Sequence, residues 1–244
     1  MSHLASAILV TLTLYFLTTT GHAQMAQPPG KHLFILSGQS NMKRLDPAVS
    51  FTPAVEKAFG ADKVIVVHDA EGGSAISYWL LPEPGNRNKK AGRYYKRLME
   101  KVNAATEGQS LASVTFVRMK GELDDNSKVM NGDGYSGDLQ TLLQQLRTDL
   151  SRDDLNVVIG RLSDFGSTAK GKQKYKDWEK VRNAQMALAD SNPRYAWINT
   201  DDLNDGLSKP NDLHADPEGY KVMGQRFAEA AIKLIQGPIK PTLP

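Results

Sequence analysis

The chain of 244 residues contains no cysteine. This absence excludes disulfide bonds, a lipid-modified N-terminal cysteine, thiolate metal sites and a cysteine nucleophile. A large excess of one charge is also missing, because 30 Lys and Arg residues oppose 27 Asp and Glu residues and leave a formal net charge of +3. So small a charge does not favour nucleic acid as a partner, and we expect none.

Charged side chains are absent from residues 1–23. Residues 4–17 form an apolar run that is long enough for the core of a signal peptide but short for a membrane span, which needs about 20 residues. Gly21 and Ala23 supply the small residues that cleavage before Gln24 requires. We predict a secreted or periplasmic protein, cleaved near Ala23 and with no stable membrane insertion of the mature chain; an uncleaved anchor is the alternative.

The rest of the chain is predicted to contain one domain. Residues 24–30, with two prolines and a glycine, are typical of a flexible lead-in, and residues 238–244 of a tail. Residues 31–237 between them are sufficient for a single α/β domain with a well-buried core.

Short apolar runs alternate with segments of helical periodicity along this domain. Such runs are typical of strands buried in a parallel sheet. They occur at residues 32–36, 63–68, 114–117, 156–159 and 195–198, and the helical segments lie at 53–59, 94–105, 139–150, 178–189 and 217–236. The alternation implies crossover connections, so the sequence predicts a three-layer α/β/α fold with a central, mostly parallel five-stranded sheet.

Two side chains that could cooperate in hydrolysis lie near the two ends of the domain. Ser40 follows the first apolar run, and His214 precedes the last helix. A serine becomes an effective nucleophile when a base within hydrogen-bond reach accepts its proton, and open α/β folds bind ligands at the carboxyl ends of their strands. Ser40 is a candidate nucleophile and His214 its candidate base, with His68 as a competitor. The structural alternatives are a helix N-cap for Ser40 and a packing role for His214.

The stretch Gly38-Gln39-Ser40-Asn41-Met42 resembles the nucleophile block of the SGNH hydrolases, in the form carried by sialate O-acetylesterase-like carbohydrate esterases. The resemblance extends along most of residues 31–236. It implies an SGNH-type fold and an acyl-enzyme mechanism with Ser40 as nucleophile and His214 as base. It also implies that no cofactor is needed and that the substrate is an acylated carbohydrate, most often an acetylated one.

Two further stretches resemble the blocks that surround the oxyanion in this family. Residues 69–76 resemble the second block, which implies that the N–H of Gly73 contacts the oxyanion; an ordinary Gly-Gly turn is the alternative. The third block is typically Trp, any residue, Gln, Gly, Glu, whereas residues 118–122 are Arg-Met-Lys-Gly-Glu. Lys120 therefore either donates to the oxyanion as a cation or pairs with Glu122 and blocks the pocket. The resemblance also places Gln39 and Glu122 at the substrate-binding site.

The sequence offers several groups that could orient His214. Many SGNH hydrolases carry aspartate three residues before the histidine, where this chain has Asn211, and Asp212 lies two residues before it. Either Asp212 orients the imidazole, or Asn211 or a backbone carbonyl does so in a Ser-His dyad. Glu122 is a reserve candidate.

Other functions have weaker support in the sequence. No closely spaced set of His, Asp and Glu resembles a zinc site, so we expect no metal. One alternative is non-catalytic glycan binding, which Arg118, Lys120 and Asn211 favour because they depart from the family pattern. Another is hydrolysis of a lipid or thioester, which requires an apolar pocket instead of a polar cleft with stacking aromatics such as Trp79. A cationic cluster is interpreted as a solvated face or as a contact for an acidic glycan: Lys89, Lys90, Arg93, Lys96 and Arg97.

Overall fold

The computed structural model describes residues 29–85, 88–122, 134–168, 170, 175–206 and 212–237. The predicted leader, the predicted tail, most of the lead-in and Asn211 lie outside these residues. Within the described ranges, no helix combines the length and the apolar character needed to cross a membrane.

The strands form one sheet in which every described pair is parallel. The order across the sheet is β2-β1-β3-β4-β5, so β1 lies between its two successors. This arrangement confirms the predicted five-stranded α/β fold. The strands are β1 (Lys31–Gly38), β2 (Val64–Ala70), β3 (Leu111–Met119), β4 (Asn156–Gly160) and β5 (Tyr195–Ile198).

Helices cover both faces of the sheet and complete the three layers. The helices of the described residues are α1 (Ser40–Arg44), α2 (Phe51–Phe59), α3 (Arg93–Thr106), α4 (Tyr135–Leu150), α5 (Trp178–Asp190) and α6 (Pro217–Gln236). Side chains alternate along a strand, so Leu33 and Ile35 of β1 pack with α3, α4 and α5. Phe34 and Leu36 point to the opposite face and pack with α1, α2 and α6.

The order of the strands fixes where a ligand can bind. The chain leaves β1 toward β2 on one side, and β3 lies on the other, so the connections diverge at the carboxyl end of β1. In open α/β folds the crevice at such a switch point is the usual ligand site. Ser40 begins α1 at this point. His214 lies in the loop before α6, whose start is fixed by the Asp216 carboxylate accepting the N–H of Gly219 at 2.7 Å.

Candidate active site

Ser40 and His214 are hydrogen-bonded in the fold. The Oγ of Ser40 lies 2.9 Å from Nε2 of His214, although 174 positions separate the two residues in the chain. Both side chains are half-buried, so they remain accessible from the crevice. Ser40 is the first residue of α1 and Gln39 precedes it as the N-cap, so the hydroxyl of Ser40 does not cap the helix. The arrangement is that of a serine with an adjacent base.

The competing base, His68, points elsewhere. His68 lies on β2, and its Nε2 is 2.9 Å from the carbonyl oxygen of Met42. Its imidazole therefore holds the backbone of α1 and is not the partner of Ser40.

The loop that carries Ser40 is held tightly against β3. The backbone N–H of Gln39 donates to the carbonyl of Met119 at 3.1 Å. A Cβ at Gly38 would lie only 2.0 Å from that same carbonyl oxygen, so any side chain there would push the two strands apart. The glycine before Gln39 thus allows the close contact that fixes the start of α1 and the position of Ser40.

The loop after β2 runs beside the nucleophile. A Cβ at Gly72 would lie 3.8 Å from Cβ of Ser40, and the N–H of Glu71 donates to the carbonyl of Gly38 at 3.0 Å. Gly73 is exposed and has a φ of 63°, a left-handed conformation that favours glycine. No atom lies within 4 Å of the position its Cβ would occupy, so the space around its backbone is open.

Lys120 lies beneath this loop and links it to the nucleophile loop. Its side chain is 1% exposed. The ammonium donates to the Oε1 of Gln39 at 3.1 Å and to the carbonyl of Ser74 at 2.7 Å. Two of the three N–H donors of the ammonium therefore link Gln39, which precedes Ser40, to Ser74, which follows Gly73.

Trp79 is fully buried and does not line an open cleft. The guanidinium carbon of Arg118 lies 4.7 Å from the centre of the Trp79 ring, and Nζ of Lys120 lies 5.6 Å from it. Arg118 on β3 and Lys120 just after it thus lie over the ring, an arrangement that cation–π attraction favours. The expectation that Trp79 offers a stacking surface to a sugar is therefore wrong.

The carboxylate of Asp212 does not contact the imidazole. Its Oδ1 accepts the N–H of Leu213 at 2.7 Å, and the described residues show no hydrogen bond between Asp212 and the His214 ring. The Oε1 of Glu122 accepts instead from the side chain of Asn41 at 2.9 Å. The predicted orienting contact from Asp212 is thus not formed, and Asn211 lies outside the described residues.

The environment of His214 favours the neutral imidazole. Burial lowers the pKa of His214 from its ordinary value, and the positive charge of Arg44 lowers it further. The negative charge of Asp212 acts in the opposite direction but does not reverse the shift. A neutral imidazole can accept a proton from a hydroxyl, so the lowered pKa suits a general base.

Three residues of the predicted cationic cluster interact with neighbouring side chains. Arg97 is paired with Asp69 and Glu71 at 3.0 and 3.2 Å. Two others lie over aromatic rings, Lys90 over Tyr78 and Arg93 over Tyr94. No group of His, Cys, Asp and Glu suited to a metal ion occurs in the part of the chain that the structure describes.

Comparison with known proteins agrees with the site. A sequence profile described as "carbohydrate esterase, sialic acid-specific acetylesterase" matches residues 43–233 of this chain. The chain belongs to this carbohydrate esterase family. The matched segment begins three residues after Ser40 and includes His214. The placement of Ser40 beside His214 in the fold is therefore an observation independent of the match.

Several solved structures share the fold. A protein from Arabidopsis thaliana is 21% identical with a TM-score of 0.61, and the alignment covers 84% of this chain and 99% of that one. A carbohydrate acetylesterase from Xanthomonas citri is 16% identical with a TM-score of 0.64, over 86% of this chain and 57% of that protein. Est24, a carbohydrate acetylesterase from Sinorhizobium meliloti, is 14% identical with a TM-score of 0.56, over 84% and 99% of the two chains. No curated protein sequence matches this chain.

Sequence reasoning missed part of the polar network of this carbohydrate esterase. Asn41, 5% exposed, donates from Nδ2 to Glu122 at 2.9 Å and to the carbonyl of Leu213 at 3.1 Å. The hydroxyl of Tyr220 donates to Oδ1 of Asn41 at 2.9 Å. A signal was available, since a buried tyrosine on the apolar face of the last helix needs a partner for its hydroxyl.

A cavity of about 360 Å³ lies beside the histidine loop. Its lining includes three residues that follow His214, namely Ala215, Pro217 and Tyr220. Arg44, at the end of α1, also lines it. The volume falls within the range of small-molecule sites, and Ala215, which lines the cavity, follows His214 in the chain.

Proposed function

We propose that the chain is a serine esterase that removes O-acetyl groups from a carbohydrate through an acyl-enzyme on Ser40. The hydrogen bond of 2.9 Å between Ser40 Oγ and His214 Nε2, at the carboxyl edge of the sheet, carries this proposal. Membership of a carbohydrate esterase family supports the choice of an ester and of a sugar. Burial of the imidazole supports the choice of His214 as base.

The first half of the reaction transfers the acetyl group to the enzyme. The hydroxyl oxygen of Ser40 attacks the acetyl carbonyl while Nε2 of His214 accepts the hydroxyl proton. The carbonyl electrons move to oxygen and form a tetrahedral oxyanion. When the intermediate collapses, the bond to the sugar oxygen breaks, and His214 returns its proton to that oxygen. The deacetylated sugar leaves, and an acetyl-serine remains.

The second half regenerates Ser40. Water loses a proton to Nε2 of His214 and attacks the acetyl carbonyl, which forms a second oxyanion. Collapse breaks the bond to Ser40 Oγ, which recovers a proton from His214. Acetate is released, and the enzyme returns to its starting protonation state.

Backbone N–H groups are the proposed donors to the oxyanion. The N–H of Ser40 lies in the first turn of α1, where backbone donors have no partner within the helix. The N–H of Gly73 belongs to the loop that Gly72 brings against Ser40. Donors fixed by the fold stabilise the transition state without reorganisation, which is the largest single contribution in many hydrolases.

The cavity beside the histidine loop suits the leaving sugar. Because His214 gives its proton to the leaving oxygen, the sugar lies on the side of the breaking ester bond that faces the base. Ala215, the residue after His214, lines the cavity of about 360 Å³. We propose that a sugar ring occupies this cavity during acyl transfer.

We also propose that the protein acts outside the cytoplasm after removal of residues 1–23.

The test compares the mature protein with Ser40→Ala and His214→Ala, using p-nitrophenyl acetate and an O-acetylated xylo-oligosaccharide. Each variant is expected to lose at least about 10³-fold in kcat, because serine and base act as a unit. Ser113→Ala is a matched control: it removes the hydroxyl of a second serine–histidine pair, His32 with Ser113 at 2.8 Å, near the start of β1. Its activity is expected to equal that of the parent.

Two results would overturn the proposal. Hydrolysis by Ser40→Ala at the parental rate would assign the activity to another site. Absence of hydrolysis by the parent, combined with retained glycan binding, would favour the non-catalytic alternative.

A further inference from the structure

Asn41 is the centre of a buried polar network that joins four parts of the fold. Its amide nitrogen donates to Glu122, which follows β3, and to the carbonyl of Leu213 in the histidine loop. Its amide oxygen accepts the hydroxyl of Tyr220 from α6. These partners lie 81, 172 and 179 positions from Asn41 in the chain, so the network forms only in the folded state.

Two acceptors fix which way the amide of Asn41 points. The carboxylate of Glu122 and the carbonyl of Leu213 can only accept, so the amide nitrogen faces them, and Oδ1 accepts the hydroxyl of Tyr220. Reversing the amide would place its oxygen against the carboxylate of Glu122 and a carbonyl, which is unfavourable. Asn41 and Tyr220 are 5% and 9% exposed, and buried hydrogen bonds of this kind are costly to leave unmade.

The histidine loop is held through its backbone. The carbonyl that Asn41 binds belongs to Leu213, whose peptide bond leads directly to His214. The preceding N–H, that of Asp212, donates to the carbonyl of Asn204 at 2.6 Å, and the N–H of Leu213 donates to the carboxylate of Asp212. The backbone that leads into His214 is therefore held at three groups, whereas the carboxylate of Asp212 forms no hydrogen bond with the ring.

We propose that Asn41, held by Glu122 and Tyr220, is a positioning residue that sets the distance between His214 and Ser40. Asn41 is the neighbour of the nucleophile and at the same time binds the neighbour of the base, so one side chain ties the two reacting groups together. In a triad the acid orients the histidine ring; here the loop that carries the ring is oriented instead. The inference rests on the proposed function, because it requires that His214 is the base.

The expected effect is on kcat. A misplacement of about 1 Å in a reacting group costs about 10²-fold in rate. Asn41→Ala is therefore expected to lower kcat about 10- to 100-fold and to change KM less than about threefold. Asn41→Asp keeps the shape but places an oxygen against Glu122 and the carbonyl of Leu213, so it is expected to lose at least as much; a residue that only fills space would tolerate this change.

The deciding experiment is a double-mutant cycle with the base. Kcat is measured for the parent, Asn41→Ala, His214→Ala and the double variant, using p-nitrophenyl acetate. If Asn41 acts through His214, its removal costs nothing more once the imidazole is gone, because coupled residues are non-additive. The same cycle with Tyr220→Phe keeps the ring packed in the core and removes only the hydroxyl.

Matched controls separate positioning from general loss of structure. Asn156→Ala removes another buried asparagine, at the start of β4 and away from the site. Tyr95→Phe removes a hydroxyl that donates to Asp149 at 2.7 Å, between α3 and α4. Both are expected to keep the parental kcat, with thermal denaturation recorded for every variant.

The outcomes distinguish this inference from the proposed function. A cost of Asn41→Ala in the parent that disappears in the His214→Ala background supports the inference. An equal cost in both backgrounds, or no cost in the parent, overturns the inference and leaves the proposed function intact. Parental activity in His214→Ala would overturn the proposed function itself.

Discussion

Replacing Lys120 with methionine tests how this chain compensates for the missing glutamine of its third block. The ammonium of Lys120 holds Gln39 and Ser74 together, and these residues flank Ser40 and Gly73. We expect that Lys120 acts by fixing the two loops that supply the oxyanion donors. Methionine keeps a flexible stem against Trp79 and removes only the charged donors.

The magnitude follows from the two hydrogen bonds. Lys120→Met leaves the Oε1 of Gln39 and the carbonyl of Ser74 without this donor, and each buried acceptor left unsatisfied costs about 1–3 kcal/mol. A loop that relaxes to reach other donors moves Gly73 away from the oxyanion. Loss of one oxyanion donor costs about 2.7–4 kcal/mol, which corresponds to about 10²- to 10³-fold in kcat. Lys120→Gln, which can still donate to one of the two acceptors, is expected to fall between the parent and methionine.

The assay measures kcat and KM with p-nitrophenyl acetate, together with urea denaturation of each variant. Lys101→Met is the control, because its half-exposed ammonium pairs with Asp69 on β2 and does not contact the two loops. A kcat of Lys120→Met within about twofold of the parent would refute the reasoning. So would an increase in kcat for Lys120→Gln, since that result would mean that the lysine obstructs the pocket.

Two further predictions concern the titration of His214. Arg44→Gln removes a positive charge that lowers the pKa of His214, so the acidic limb of the pH–kcat/KM profile should move to higher pH; an unchanged profile would exclude an influence of Arg44. Asp212→Asn removes a charge that raises this pKa, so the limb should move to lower pH. Because the carboxylate does not contact the ring, kcat should fall less than about tenfold, whereas loss of a triad acid costs about 10⁴-fold; a loss of that size would restore Asp212 as the orienting group.

The alternation of apolar runs was sufficient to predict the sheet. The predicted strand at residues 195–198 has the same bounds in the structure, where it is β5. The strand predicted at residues 114–117 extends to Met119, because the charged Arg118 interrupts the apolar run in sequence but is fully buried over Trp79 in the fold. The helix predicted from residue 139 begins at Tyr135, since its first turn contains polar residues and a glycine. A local sequence pattern does not predict the burial of a residue whose partner lies far away in the chain.

The site was predictable only in part, for the same reason. The proximity of Ser40 and His214 could be predicted because each lies at the boundary of a strongly patterned element, and parallel strands bring such boundaries to one edge. The contacts of Lys120 could not be predicted, because an ammonium reaches its partners through a flexible stem whose direction the sequence does not encode. The prediction for Trp79 was wrong because the turn that buries it places its ring under two cations, Arg118 on β3 and Lys120 just after it.

No carboxylate of the described residues is hydrogen-bonded to the His214 ring, and this affects the two halves of the proposed general-base catalysis differently. In the resting enzyme, burial and Arg44 lower the pKa of His214, so the neutral form that accepts a proton is favoured. In the transition state the imidazole gains positive charge, and the same burial and the same arginine oppose that charge. Asp212 offsets part of this cost through space, without fixing the ring. Among the described residues, the contacts that hold the loop of His214 are then made to its backbone, and the bond from Asn41 to the carbonyl of Leu213 is one of them.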